Sequence, residues 1–276
     1  MLKTLGGSSR QSLSSMRVAL DSKLKDLSHP ATIEFAADLF TILTVLSSSV
    51  GVRRALTDNS RDASSKAELI ANLFGKNIGA SAHALIANAA SLRWSSPAES
   101  ADAIEQLAVE AEASAAEKNN ELEKLEDQLF DFTRVLIANP ELRQALNTSA
   151  DSDAGKIALL EAVIKSRYAN STLNLLRRVV VLRRGRSIDS TLTTYSHYVS
   201  TRKDRLVAHI RSAIALSDAQ QSKLIAALTK QMGKEVHVNI EIDPKVLGGI
   251  SIRYANDVID GTVFNRLAEA GRALVS

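Results

Sequence analysis

Five histidines stand in this sequence, His29, His83, His197, His209 and His237. No two of them share the H-x-H or H-x-x-x-H spacing that turns two imidazoles toward one metal ion. There is no cysteine, which excludes disulfides, thiolate metal sites and cysteine nucleophiles and fits a reducing compartment. Serine, aspartate and histidine are all present, but no G-x-S-x-G lifts a serine onto a nucleophile turn. Gly248-Gly249 lacks the G-x-x-x-x-G-K-[ST] and G-x-G-x-x-G patterns and leads into a strand. It reads as a tight turn with close backbone approach, not as a phosphate cradle. Asp260-Gly261 reads as a turn and cap before a last helix, and Trp94 as a packing residue at a helix end. No catalytic residue, cofactor or metal is expected.

Charge is the second possible source of chemistry. Glu99 to Asp131 holds eleven acidic residues against Lys118 and Lys124, a local balance of −9. Lys165 to Arg211 holds eleven basic residues against Asp189 and Asp204, a local balance of +9, while the whole chain carries only +3. One reading places Arg177, Arg178, Arg183, Arg184 and Arg186 on the phosphates of a nucleic acid. The other makes these runs solvated helical faces or a surface that meets another protein. The second is favoured, because no RNA-binding aromatic motif and no helix-turn-helix accompanies the arginines.

The elements that carry these residues repeat. The chain has 276 residues, 45% of them apolar and only 4% aromatic. Its cores are therefore built from Leu, Ile, Val and Ala, which favours helix packing. At a shift of 90, Leu39-Phe40 aligns with Leu129-Phe130 and Val45-Leu46 with Val135-Leu136. Arg53, Ala55 and Leu56 align with Arg143, Ala145 and Leu146. Lys66, Leu69, Leu85 and Leu92-Arg93 align with Lys156, Leu159, Leu175 and Leu182-Arg183. No gap is needed, and a period this long marks a duplicated helical domain, not a solenoid. The first copy reads as helices over 12–27, 31–48, 51–56, 62–74 and 81–92, with Gly75 as a cap. Ser96-Pro97 opens a long helical connection from 98 to 138, with a break at Asn119-Asn120. The second copy then repeats over 140–146, 153–165, 170–182 and 188–200.

After about Thr201 the pattern changes. Residues 206–210 read as a strand, and Ser217-Asp218-Ala219-Gln220 as a capping box opening a helix that stops at Gly233. Val236, Val238, Ile240 and Ile242 alternate with polar residues, a half-buried strand. Strands through Ile250-Ile252 and Val258-Ile259 form a hairpin about 255–256, and a last helix carries Val263, Leu267, Ala270 and Leu274. The fold class is mainly α, with two tandem helical bundles followed by a small C-terminal α/β domain. The boundaries are 1–110, 111–203 and 204–276. The most apolar stretch, Leu39 to Leu46, is short and is followed by Ser47 to Ser49. A span needs about 20 apolar residues, so no membrane helix is expected. Residues 1–10 lack the apolar core of a signal peptide, and the expected compartment is the cytoplasm.

The segment from Val236 to Arg253, with Asp243-Pro244, Gly248, Gly249, Ile250, Ile252 and Arg253, is followed by Val258-Ile259-Asp260-Gly261-Thr262-Val263 and Arg266-Leu267. In residue types and spacing it resembles the C-terminal region of the delta subunits of bacterial F-type ATP synthases, which are related to the mitochondrial oligomycin-sensitivity-conferring protein. The helical copies are similar to that family's N-terminal six-helix bundle. The family usually has one bundle, and the duplication looks like its longer actinobacterial form. Thr262 stands where the family often has Ser, and Ala255 and Asn265 where it often has Gly.

The resemblance implies a non-catalytic subunit of the peripheral stalk. Its partners would be the N-terminal segments of the alpha subunits and the membrane-anchored b subunit, and it would keep the catalytic head from turning with the rotor. It would lie on the cytoplasmic face of the bacterial plasma membrane, touching the membrane only through the complex, with no nucleic acid partner. A bundle accepts an amphipathic helix in a groove, and the opposed charge runs would orient partners. The candidate alpha-binding groove lies between the helices over 12–27 and 81–92, through Leu13, Met16, Leu20, Leu85 and Leu92. The second copy offers its counterpart on 170–182 with Leu175 and Leu182, so two bundles would hold two alpha subunits. The C-terminal domain would meet b.

Overall fold

Polar caps and helix breakers set the boundaries. Ser28, Ser49, Asp62 and Ser96 each accept the backbone N–H three residues on, which satisfies a donor that the first helical turn leaves open. Gly75 takes positive φ, 47°, and ends the helix before it, while Gly185, at 79°, lies in a turn two residues beyond Arg183. Asn120 also takes positive φ, 55°, in the break foreseen at Asn119-Asn120. A computed structural model describes residues 5–148, 152–164, 167–204, 207–232, 237–243, 250–254 and 257–260. Their contacts divide the chain into two compact units, 1–199 and 200–276.

The first unit begins with α1 (Gly7–Asp26), α2 (His29–Ser48), α3 (Val50–Thr57), α4 (Ala63–Phe74) and α5 (Ala80–Ser91). It continues through α6 (Pro97–Lys118), α7 (Leu122–Ala138), α8 (Pro140–Asn147), α9 (Asp153–Ile164) and α10 (Asn170–Val181). It ends in α11 (Ile188–Asp204), which runs across the division between the units. Two starts differ from the sequence reading by more than one residue. α1 begins at Gly7, not Ser12, because the neighbouring connection caps it. The Gly6 N–H donates to Glu99 Oε2 at 3.0 Å, and the Ser95 N–H to Ser9 Oγ at 2.9 Å. α2 begins at His29, since Pro30 fits inside the first turn, where a missing N–H costs little. α2 is also long and apolar enough to cross a membrane by length and composition alone. Its stripe of Phe35, Leu39, Phe40, Ile42, Leu43 and Leu46 is instead buried in the core, against α6.

The ninety-residue period is written in the helix boundaries. Moved by ninety, α3 becomes α8, α4 becomes α9 and α5 becomes α10, end for end, and α1 becomes α6. Tertiary contacts repeat as well. Asp38 Oδ2 accepts the Gly79 N–H at 2.8 Å at the start of α5, and Gln128 Oε1 accepts the Ala169 N–H at 2.9 Å at the start of α10. By position α6 is both the last helix of the first copy and the first helix of the second. It packs on α1, α2 and α3 and also on α7 and α10, and residues 103–116 are buried all round. Such a helix is fully enclosed, so its alanines let five neighbours approach closely.

The second unit contains β1 (Val207–Ser212), α12 (Asp218–Met232), β2 (His237–Ile242), β3 (Ile250–Tyr254) and β4 (Asp257–Asp260). The capping box forms in both directions. The Gln220 N–H donates to Ser217 Oγ at 3.3 Å, and the Ser217 N–H to Gln220 Oε1 at 2.9 Å. The sheet order is β2-β1-β3-β4. β1 and β2 are parallel about the α12 crossover, and β3 and β4 pair antiparallel with Tyr254 opposite Asp257. Ile210, Leu228 and Ile252 form the core, with Leu224, Val238 and Ile240 packed against it. The chain is thus mainly α with a small C-terminal α/β domain, as read from the sequence. The last helix foreseen over 263–274 lies outside the described residues.

Candidate functional site

α1 turns Leu13, Met16, Leu20 and Leu24 inward, and α5 turns Ala82, Leu85, Ile86, Ala89 and Ala90 to meet them. Leu13, Met16, Leu20 and Leu85 therefore form the interior beneath the groove, and half-buried Leu92 caps the end of α5. Leu175 is buried in the second copy, and Leu182 is half-buried at the end of α10. What lies open above the first interior is a set of small residues: Ser22 on α1, Ala67 on α4, and Ala84, Ala87 and Ser91 on α5. Beside them Asn88 keeps a buried Oδ1 with no hydrogen-bond partner among the described residues.

The second copy is different at the same positions. Moved by ninety, that set becomes Glu112, Ile157, Asn174, Arg177 and Val181, with Arg178 in place of Asn88. These six residues line a cavity of about 310 Å³ whose remaining walls are Ile33, Ala37 and Phe40 of α2. The Arg178 guanidinium lies 5.2 Å from the centre of the Phe40 ring, and Tyr195 of α11 lies 6.3 Å from it centre to centre. Inside the cavity Asn174 Nδ2 donates to Glu112 Oε1 at 3.0 Å. Burial pushes the Glu112 carboxyl up to about 7, against hydrogen bonds from Asn174 and Ser171 and the nearby Arg178 charge.

The two charge runs meet each other. Arg184 reaches Asp102 at 2.8 Å and Glu105 at 2.9 Å, and Arg186 also pairs with Glu105. Arg184 holds φ at 53°, a backbone region that side chains disfavour, where both carboxylates of α6 grip it. On the other side of α6, Arg17 of α1 binds Glu110 at 3.0 Å, and Gln106 donates to the same oxygen at 3.1 Å. Arg177 pairs with Glu161 at 2.6 Å, and Arg183 donates to the Asn147 carbonyl at 3.0 Å. All five arginines weighed as phosphate ligands are engaged with their own chain. Sequence reasoning missed this joint because its partners lie 79 to 93 residues apart. The equal and opposite local charges were the available signal.

Of the C-terminal residues singled out in the sequence, Ile250, Ile252 and Arg253 lie on β3 and Asp260 ends β4. Ile252 is buried opposite Ile210 and Ile259. Gly248, Gly249, Gly261, Thr262, Arg266 and Leu267 lie outside the described residues.

A family model, ATP synthase delta (OSCP) subunit, matches residues 103–274. That span takes in most of α6, the rest of the second copy and the C-terminal unit, and it leaves α1 to α5 outside. The ATP synthase subunit delta of Streptomyces coelicolor is 39% identical over 270 residues, 98% of each chain. Its counterpart from Streptomyces avermitilis is 37% identical over 273 residues, 99% of this chain and all of that one. A chain in the cryo-EM structure of the Toxoplasma gondii mitochondrial ATP synthase hexamer is 22% identical, with a TM-score of 0.33. It covers 61% of this chain and 97% of that one. Family model and near full-length relatives agree. The chain belongs to the ATP synthase delta (OSCP) subunit family, as a non-catalytic subunit of the peripheral stalk of the F-type ATP synthase.

Proposed function

We propose that the chain joins the N-terminal segments of the alpha subunits to the membrane-anchored b subunit and so resists the torque of the rotor. It works at the cytoplasmic face of the bacterial plasma membrane and touches the membrane through the complex. The alpha segment lies as an amphipathic helix over α1 and α5, above the interior built by Leu13, Met16, Leu20 and Leu85. The C-terminal domain, with its Gly248-to-Leu267 motif, meets b.

The observation that carries this reading is the open small-residue surface of α5. Ala84, Ala87 and Ser91 let a helix backbone approach closely. A torque-bearing link also needs a stiff body, and the ion pairs that fasten α1 and the Arg184–Arg186 turn to one buried helix support that role. Co-sedimentation tests the reading. The full-length chain is expected to travel with intact catalytic head and to separate from head whose alpha N-terminal segments have been trimmed. Equal recovery with both heads would refute the assignment to the alpha terminus.

A further inference from the structure

We infer that the second copy's groove is occupied by the chain's own α2, so that this subunit holds one alpha helix and not two. The inference rests on the proposed docking of an alpha helix in the first copy and decides what the duplication adds to it.

The two copies are superposable in sequence by a fixed shift, so their grooves can be compared position by position. Ser22, Ala67, Ala84, Ala87 and Ser91 are exposed in the first copy. Their counterparts Glu112, Ile157, Asn174, Arg177 and Val181 face α2 across a shared cavity. The covering helix is fixed from two sides. It packs along α6, and Phe40 carries it onto Arg178 of α10 and Tyr195 of α11. The space left beneath it is about 310 Å³. An incoming helix would have to displace α2 from this wall, and α2 carries six of the large buried side chains of the core.

The same comparison explains how the covering arose from duplication. α6 stands at the place of α1, so the side of α6 that faces the second groove is the outer side of α1 moved by ninety. Val18 on that side of α1 is 71% exposed, whereas its counterpart Ala108 is fully buried. The first helix of the second copy is covered by the first copy.

The test is a calorimetric titration of the full-length chain with a synthetic peptide of the alpha subunit's N-terminal helical segment, joined to amide hydrogen exchange on the saturated complex. The expected result is one site per chain, with exchange slowed at least several-fold in α5 and unchanged in α9 and α10. Two sites per chain, or slowed exchange in α10, would overturn the inference and leave the stalk reading intact. Absence of binding would overturn both. Because the unmodified chain is used, a folding defect cannot imitate any of these results.

Discussion

The first and second helical copies share their interior and differ on their surfaces. Leu39 and Leu129, Leu56 and Leu146, Phe74 and Ile164, and Leu85 and Leu175 are buried at matching positions. Outside that interior the same residue type meets opposite fates. Phe40 is 2% exposed and Phe130, ninety residues on, is 65% exposed. Around Phe40 stand Ile33 and Ala37; around Phe130 the counterparts are Glu123 and Asp127. α2 has a following copy to cover, while α7 has none and carries charges where α2 carries apolar residues. This is how the terminal unit of a stacked array keeps itself soluble. The duplication therefore supplies a pair of controls in which one framework is read with and without a neighbour.

The sharpest way to break the comparison is at the two phenylalanines. Phe40→Ala is expected to cost about 3–5 kcal/mol of stability, the usual range for removing a buried aromatic ring. Phe130→Ala is expected to stay within about 0.5 kcal/mol. Urea melts of the two variants decide this, and equal losses would mean that Phe130 is covered in solution. Next in size is the joint. Glu105→Ala leaves partly buried Arg186 without its carboxylate and Arg184 with Asp102 alone, and is expected to cost about 3 kcal/mol. The counterpart of Glu105 is exposed Ser15, and Ser15→Ala is expected to be neutral.

Glu112 gives a comparison that depends on pH. Its counterpart Ser22 is exposed and carries no charge. The Glu112 carboxyl is lifted from its ordinary value of 4.5 to about 7 in the folded chain. The native state therefore binds this proton more tightly than the unfolded state does. Its contribution to stability is fullest below about pH 4.5 and declines as pH rises to about 7. At about 1.4 kcal/mol per pH unit, that decline is roughly 3 kcal/mol at most. Glu112→Gln removes the ionisation and keeps an acceptor for Asn174. The variant is expected to melt above the parent at pH 8, with the difference shrinking to nothing near pH 4.5. A difference independent of pH would show that packing, not ionisation, separates the two.

Much of this architecture is legible in the sequence because it is set locally. Gly75, Asp62, Ser96-Pro97 and the Ser217–Gln220 box mark helix ends through bonds made within three or four residues. The strand alternation sets which face of the sheet is buried in the same local way. The sharing of α6 was hidden. Glu105, Glu110 and Glu112 look like the charges of a solvated face, and it is chiefly distant arginines and Asn174 that offset the cost of their burial. The groove was hidden for a different reason. Leucines at helical spacing identify the interior, as Leu13, Met16, Leu20, Leu85 and Leu175 do, whereas the proposed docking surface of Ala and Ser has no periodic signature. Comparing the copies position by position recovers it, because large residues in one copy stand against small ones in the other.

The smallest expected effect lies at the start of the third helix of each copy. Ser49 caps α3, its Oγ accepting the Val52 N–H at 3.2 Å. Its counterpart Asn139 makes no such bond to α8 and instead donates to the Val135 carbonyl at 2.8 Å. The chain solves the same terminus in two ways. In α8, Pro140 occupies the first turn and removes one of the open donors, so the side chain before it is free to bond backward. In α3, Val50 stands there with its N–H, and the serine carries the cap. Ser49→Ala is therefore expected to cost about 1 kcal/mol, and Asn139→Ala less than about 0.5 kcal/mol. Thermal melts of the two variants at one pH resolve a gap of that size, since 1 kcal/mol moves the midpoint by about 2–4 °C in a unit of this length. Equal shifts would place the burden of the turn on the buried Leu56 and Leu146 behind it, and the two copies would then be alike at this helix in energy as well as in position.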